Sequence, residues 1–286
     1  MRIIPRLDVK GPNLVKGIHL EGLRVLGKPE TFAAYYYETG ADELLFMDVV
    51  ASLYGRNSLL HIIRQTADNI FIPLTVGGGI RSLDDIREVL RAGADKVSLN
   101  TAAVRRPEFV REASRKFGSS TIVLSIEAMK RPEGTYEACT DNGRERTGIN
   151  PLDWAVRGAE LGAGEILLTA IHQEGTGIGF DLDLTTAISQ AVDIPVIACG
   201  GAGRLEHVQE VATQGRAQAV CLASLLHYNF VRTHSLQGTY DDSINTQFMR
   251  DQRPFSPITD VTIGELKRYL ANRGIDCRPC NLPVLL

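Results

Sequence analysis

A chain of 286 residues, 44% apolar and 23% charged, suits one large domain or two small ones and is no disordered, collagen-like or coiled-coil protein. A net charge of −3 argues against a dedicated nucleic-acid or membrane-surface binder. No apolar run approaches the roughly 18 residues of a membrane span. The N-terminus enters a strand-like segment directly, so no signal peptide is expected, and five scattered cysteines fit a reducing cytosol. Cys277 and Cys280 have CxxC spacing, but in a tail after a helix rather than at a helix N-terminus, where a thiol would be activated.

In chain order, residues 3–9 read as a strand, 29–39 as a helix, 43–48 as a strand, 59–68 as a helix and 71–76 as a strand. Residues 82–91 form an amphipathic helix, with Ile86, Val89 and Leu90 on one stripe, a capping box at Ser82 and Asp85, and a stop at Gly93. Residues 96–99 are the next strand and 106–117 the helix that closes this half. The order then repeats, with strands at 122–126, 165–170, 196–198 and 219–222. Residues 33–93 and 155–215 align without a gap at an offset of 122: Ala33, Gly40, Ala41, Glu43, Pro73, Gly78, Gly79 and Gly93 recur as Ala155, Gly162, Ala163, Glu165, Pro195, Gly200, Gly201 and Gly215. Four strand–helix units twice over imply a parallel sheet of eight strands. The fold class is therefore α/β, a (β/α)8 TIM barrel of two repeated half-barrels, with an open doubly wound sheet as the other solution. One domain is expected over 1–286, with an insertion at about 228–260 before a last helix at 263–272 and a short tail.

Chemistry in such a barrel belongs at the C-terminal ends of the strands. Strand three ends in Gly77-Gly78-Gly79 and strand seven in Gly200-Gly201-Ala202-Gly203. Glycines bring backbone N–H groups close to an anion, and the following helix N-terminus favours negative charge. Asn100-Thr101 and Ala223-Ser224 end the next strands, and Gly175-Thr176 follows strand six. Two such sites half a barrel apart suggest one elongated substrate with a phosphate at each end. Asp8 and Glu127 end strands one and five on opposite sides of the mouth, a placement suited to acid–base work or to neutralising Lys10 and Lys130. By strand phase Arg2, Glu43, Lys96 and Glu165 lie on the opposite face, where a salt-bridge plug would serve stability alone.

Together these stretches resemble the cyclase-subunit family of imidazole glycerol phosphate synthase. The resemblance covers about residues 2–227 and resumes at 261–278. It is carried by Arg2-Ile3-Ile4, Leu7-Asp8-Val9-Lys10, Val15-Lys16-Gly17, Ala41-Asp42-Glu43-Leu44, Gly93 to Ser98, Asn100-Thr101-Ala102-Ala103 and the two glycine runs. Related half-barrel sugar isomerases share the glycine runs but not the set of Glu43, Lys96 and Glu165. The resemblance implies a lyase of histidine biosynthesis, in the cytoplasm, that uses ammonia from a partner glutaminase. The substrate would be the bisphosphate phosphoribulosyl-formimino aminoimidazole-carboxamide ribonucleotide, and the products imidazole glycerol phosphate and aminoimidazole-carboxamide ribotide. It implies no metal or organic cofactor. It makes Asp8 and Glu127 catalytic, Lys16 a substrate contact on a mobile loop, and Arg2, Glu43, Lys96 and Glu165 the gate of an ammonia channel with the glutaminase docked beneath.

Several positions depart from the family pattern. Glu127 stands in place of an aspartate, a reach longer by one methylene. The loop Ile171-His172-Gln173-Glu174-Gly175-Thr176 replaces Ile-Asp-Arg-Asp-Gly-Thr, and Arg6 stands where a small residue or cysteine is usual. These changes gather at the catalytic face and leave the gate intact. That pattern supports a second reading, a paralogue that delivers ammonia to another acceptor, such as a surface-polysaccharide sugar.

Overall fold

A computed structural model describes residues 1–50, 60–233 and 257–280. Eight parallel strands close on themselves: β1 (Arg2–Lys10), β4 (Leu44–Asp48), β5 (Leu74–Gly77), β6 (Lys96–Leu99), β7 (Ile122–Lys130), β10 (Glu165–Ala170), β11 (Val196–Cys199) and β12 (Ala219–Leu222). Each pairs with the next, β7 pairs with β10, and β12 returns to β1 with Ile3 opposite Val220, so the sheet has no free edge in the barrel wall. The helices between them are α1 (Pro29–Glu38), α2 (Leu60–Ala67), α3 (Leu83–Arg91), α4 (Thr101–Arg105), α5 (Glu108–Phe117), α6 (Pro151–Glu160), α7 (Leu182–Ala191), α8 (Leu205–Thr213) and α9 (Ser224–Thr233), with α10 (Ile263–Ala271) last.

The two-residue period of each strand separates two cores. On β1, Ile3, Leu7 and Val9 face outward into the layer shared with the helices, whereas Ile4 joins Leu45, Val123, Leu167, Ile197 and Ala219 inside the barrel. The expected capping box is present at α3: Ser82 accepts from Asp85 N while the Asp85 carboxylate accepts from Ser82 N. Residues 71–73 do not enter β5. Phe71 is 80% exposed, and Pro73 uses its carbonyl to accept from Leu44 N instead. The helix expected over 106–117 is α5, which begins at Glu108 after Pro107, and a short helix not expected from the sequence, α4, precedes it.

Two features lie outside the expected pattern. Residues 13–27, read from sequence as a loop, form the antiparallel hairpin β2 (Asn13–Ile18) and β3 (Glu21–Gly27), which extends β1 with Asp8 opposite Val15. The equivalent excursion in the second half is β8 (Tyr136–Thr140) and β9 (Glu145–Arg146), which extends β7 with Glu127 opposite Cys139. The duplication thus includes an antiparallel flap over the mouth in each half. Of the segment 228–260, residues 228–233 belong to α9 and 257–260 pack beside the second glycine run, while 234–256 lie outside the described residues. The tail folds under the barrel. Arg278 donates to Asp42 Oδ1 (2.9 Å) and to the Ala41 carbonyl, and Cys280 packs on Gly40. Cys277 and Cys280 are free thiols that burial pushes up, away from the activated range.

Candidate active site

Asp8 and Glu127 are buried at the C-terminal ends of β1 and β7, 3% and 6% exposed. Glu127 Oε2 accepts from Gly143 N at 2.8 Å, a bond supplied by the β8–β9 flap. Burial pushes the Glu127 carboxyl up to about 7, against the pull of Arg6 and the Gly143 N–H and with help from Asp8 and Asp141. Asp8 has a different partner: Arg6 Nε donates to Asp8 Oδ1 at 2.8 Å, and both side chains are almost wholly buried. Phase along β1 places Arg6 inside the barrel with Asp8, a position the sequence alone marks only as unusual.

The first glycine run opens onto chemistry. Gly78, Gly79, Asn100 and Thr101 line one cavity of about 260 Å³ with Glu127, and Arg81, Arg105 and Arg106 bring positive charge to its wall. Gly78 has φ +93°, and a Cβ there would lie 2.2 Å from the Asp48 carbonyl oxygen, so only glycine allows this turn to pass the end of β4. Thr101 Oγ1 accepts from Asp141 N at 3.0 Å, and Asn100 Nδ2 donates to the Cys139 carbonyl at 3.2 Å. These contacts tie the cavity to the β8–β9 flap.

The second run is packed differently. Gly200 has φ +98°, and a Cβ there would approach the Ala170 carbonyl at 2.8 Å, the same contact as at Gly78 displaced by the repeat offset. Gly201 and Gly203, however, lie under the loop before α7: the Gly201 carbonyl accepts from Gly179 N (2.8 Å) and the Gly203 carbonyl from Thr259 N (2.7 Å). Thr176 Oγ1 donates to the Gln173 carbonyl at 2.7 Å. Ala223 and the buried Ser224 start α9, where the Ala223 carbonyl accepts from His227 N at 2.8 Å. The residues Gly175, Thr176, Gly200, Gly201, Ala223 and Ser224 therefore lie on the expected elements, in a region already filled by the chain's own backbone.

Lys16 is also brought to the mouth. It is 4% exposed on β2, and its Nζ donates to Glu174 Oε1 at 2.5 Å and to the Gly17 carbonyl at 2.8 Å. Sequence reasoning missed one supporting residue altogether. His227 on α9, with no exposed surface, holds the Arg6 carbonyl through Nε2 (2.8 Å) and meets Tyr36 Oη through Nδ1 (2.6 Å). Nothing in its local sequence pattern distinguishes it from an ordinary helix residue.

At the other end of the barrel, four charges close a ring. Arg2 Nη1 lies 2.5 Å from Glu43 Oε1 and 2.7 Å from Glu165 Oε1. Lys96 Nζ lies 3.1 Å from Glu43 Oε2 and 2.9 Å from Glu165 Oε2. Between ring and mouth sits the apolar layer of Ile4, Leu45, Val123, Leu167 and Ile197. Among the described residues, no group of three or more His, Cys, Asp and Glu side chains could hold a metal ion, and no helix is long and apolar enough to cross a membrane.

A duplicated (β/α)8 barrel with buried acids and a cavity at its C-terminal mouth defines a barrel enzyme. Its family is settled by sequence: residues 2–232 match the family described as histidine biosynthesis protein, and the chain belongs to that family. It is similar to the imidazole glycerol phosphate synthase subunit HisF of Legionella pneumophila, 60% identical over 206 residues, which span 72% of this chain and 97% of that protein.

Proposed function

We propose that this chain is an ammonia-dependent cyclase of histidine biosynthesis, working in the cytoplasm as one domain. It converts phosphoribulosyl-formimino aminoimidazole-carboxamide ribonucleotide to imidazole glycerol phosphate and aminoimidazole-carboxamide ribotide. The observation that carries this reading is the alignment along one axis of the closed ring of Arg2, Glu43, Lys96 and Glu165, the apolar layer, and the acids Asp8 and Glu127. Ammonia in water is mostly ammonium, so a dry route from a charged gate to a buried site keeps the nucleophile unprotonated. The name of the 60% identical relative supports the same reaction.

In this reading Gly78, Gly79, Asn100 and Thr101 hold one phosphate, with Arg81, Arg105 and Arg106 near it. Gly200, Gly201, Ala223, Ser224, Gly175 and Thr176 hold the other once the loops over them part. Lys16 reaches the substrate by leaving Glu174. The acids Asp8 and Glu127 stand at the mouth, where ammonia attack and ring closure need negative charge and proton transfer.

The partner is a glutaminase subunit that docks on the N-terminal face. Support comes from Phe71, 80% exposed on that face, and from the groove of about 480 Å³ that it forms with Arg2, Asp42, Cys277 and Arg278 beside the ring. The test is turnover of the bisphosphate by the purified chain with ammonium salt at high pH, and with glutamine after a glutaminase subunit is added. Ammonia-dependent formation of both products is expected; tight binding of the bisphosphate without turnover contradicts it.

One observation favours the second reading, a paralogue that aminates another acceptor: the Arg6–Asp8 ion pair occupies one of the two acids. Ammonia-dependent turnover of an activated sugar, with none of the bisphosphate, would establish it.

A further inference from the structure

Arg6 changes what the two acids can do. It projects into the barrel from β1, 1% exposed. Its Nε is bound to Asp8, its Nη1 reaches Thr169 Oγ1 (3.3 Å) on β10 and Cys199 Sγ (3.5 Å) on β11, and its Nη2 is buried with no hydrogen-bond partner among the described residues. Thr169 is in register with Glu127, so the guanidinium spans the floor from one acid to the strand beside the other.

The two acids are not equivalent. A proton taken up by Asp8 would leave a buried guanidinium without its counter-ion, and a guanidinium cannot give up its own proton. A proton taken up by Glu127 strands no ion-pair partner, because its hydrogen-bond partner is the neutral Gly143 N–H. Glu127 also lines the 260 Å³ cavity, and Asp8 is not part of that wall. We propose that Arg6 is a positioning residue that holds Asp8 as a fixed negative charge and leaves Glu127 as the group that exchanges protons with the bound reactant. The cyclase reading supplies the identity of that reactant; the charge arrangement does not depend on it.

Every element around Glu127 among the described residues is compatible with this division. Arg6 and Asp8 face it from β1 and Asp141 from the turn after β8. β10 offers the uncharged Thr169, and β8 offers Cys139, whose thiol burial pushes up to about 11. Around the same cavity stand Ser98 from β6 and Asn100 just after it, with Asp48, Arg81, Arg105 and Arg106 further along the wall. The counter-charges of Lys16 and Glu174 are spent on each other. The rise of Glu127 to about 7 fits a carboxyl that changes state near neutrality.

The test begins with carboxyl-carbon NMR of the substrate-free, 13C-labelled chain between pH 5 and 9, assigned with Glu127→Gln and Asp8→Asn. The expected result is a Glu127 signal that titrates near neutrality. Since Arg6→Gln can unfold the chain, the neutral pair Arg6→Gln with Asp8→Asn supplies a second measurement. Its ammonia-dependent pH–rate profile keeps the single neutral inflection, with kcat down about tenfold, whereas Glu127→Gln loses the inflection and on the order of 100- to 10,000-fold in kcat. A Glu127 signal that does not titrate near neutrality, or an inflection that survives Glu127→Gln, overturns the proposal. The expected NMR result with no turnover of the bisphosphate overturns the cyclase reading and leaves the role of Arg6 standing.

Discussion

Lys16 and Glu174 meet at 2.5 Å across the barrel mouth, one on the β2–β3 flap and the other in the loop before α7, both nearly devoid of exposed surface. Burial alone would raise the Glu174 carboxyl, but Lys16 and Arg6 beside it hold it below its ordinary value. The pair is reinforced where the Glu174 carbonyl accepts from His19 N at 2.9 Å and His19 Nδ1 meets the Ile171 carbonyl at 3.0 Å. The flap is therefore latched to the loop before α7. Lys16→Ala leaves a buried acid uncompensated, a loss of about 3–5 kcal/mol if the mouth stays closed. The outcome expected is opening of the flap, seen as faster hydrogen exchange at residues 13–27 with little change at β4 or β12. Lys16→Met with Glu174→Leu restores protection in the flap but not binding of the bisphosphate. Unchanged exchange in Lys16→Ala would show that the latch carries no load.

The ring at the opposite face differs from a simple plug in being half open to solvent at Arg2, whose side chain is 29% exposed. Each of its acids is shared by Arg2 and Lys96, so removal of one cation leaves two acids against one positive charge. Both acids and Lys96 are largely buried, so Lys96→Ala should cost about 3 kcal/mol of stability. If the ring gates ammonia, glutamine-dependent turnover in the assembled complex changes by about tenfold, roughly 1.4 kcal/mol, relative to turnover on added ammonia. Equal changes in the two rates would mark the ring as structural.

The two glycine runs make a separable pair of predictions. A methyl group at Gly78 meets the Asp48 carbonyl at 2.2 Å with φ at +93°, whereas Gly22 has φ +62° and nothing within 4 Å. Gly22→Ala pays only the left-handed penalty, about 1–2 kcal/mol. Gly78→Ala adds displacement of the turn, so it should be clearly more destabilising in urea and should also weaken binding of inorganic phosphate at the first cavity. Equal stability losses for the two variants would mean that the β5–α3 turn yields more easily than its backbone contact implies.

Eight strands, their order and the C-terminal mouth were legible because apolar periodicity and the 122-residue repeat both report on a duplicated barrel. The flaps were not, since Lys, Glu, Arg and Gly interrupt the apolar positions of residues 13–27, Glu, Arg, Gly, Asp and Asn dominate 136–146, and pairing to β1 and β7 rather than local pattern makes them strands. Asp8, Glu127 and the four ring charges could be placed from strand phase alone. Their partners could not: Arg6 reaches β10 and β11, and Lys16 reaches Glu174, contacts 158 or more positions apart in sequence. The second glycine run was read for an anion, and its closest neighbours prove to be the Gly177 and Gly179 carbonyls, a packing demand that also selects glycine.

His227 links stability to the floor of the site. Its ring is enclosed by Phe32 and Tyr36, and it holds the Arg6 carbonyl at 2.8 Å. Burial pushes its pKa down from 6.5 to about 3, helped by Lys16 and opposed by the bond to Arg6 and by Glu174. Between pH 6.5 and about 3 the unfolded chain binds a proton that the folded chain refuses, so this contribution to stability is complete above 6.5 and is lost as pH falls. At pH 5 the loss is about 2 kcal/mol, at 1.36 kcal/mol per pH unit. Glu127 acts in the opposite sense, because its raised value makes folding less favourable as pH climbs from 4.5 toward 7. The two are separated by His227→Gln, which keeps one donor and one acceptor but cannot titrate. Urea unfolding should show the variant less stable than the parent at pH 7.5 and closer to it at pH 5 by about 2 kcal/mol. A stability gap that is the same at both pH values would mean that His227 takes up its proton as readily in the folded chain as in the unfolded one, and that burial does not keep the ring neutral.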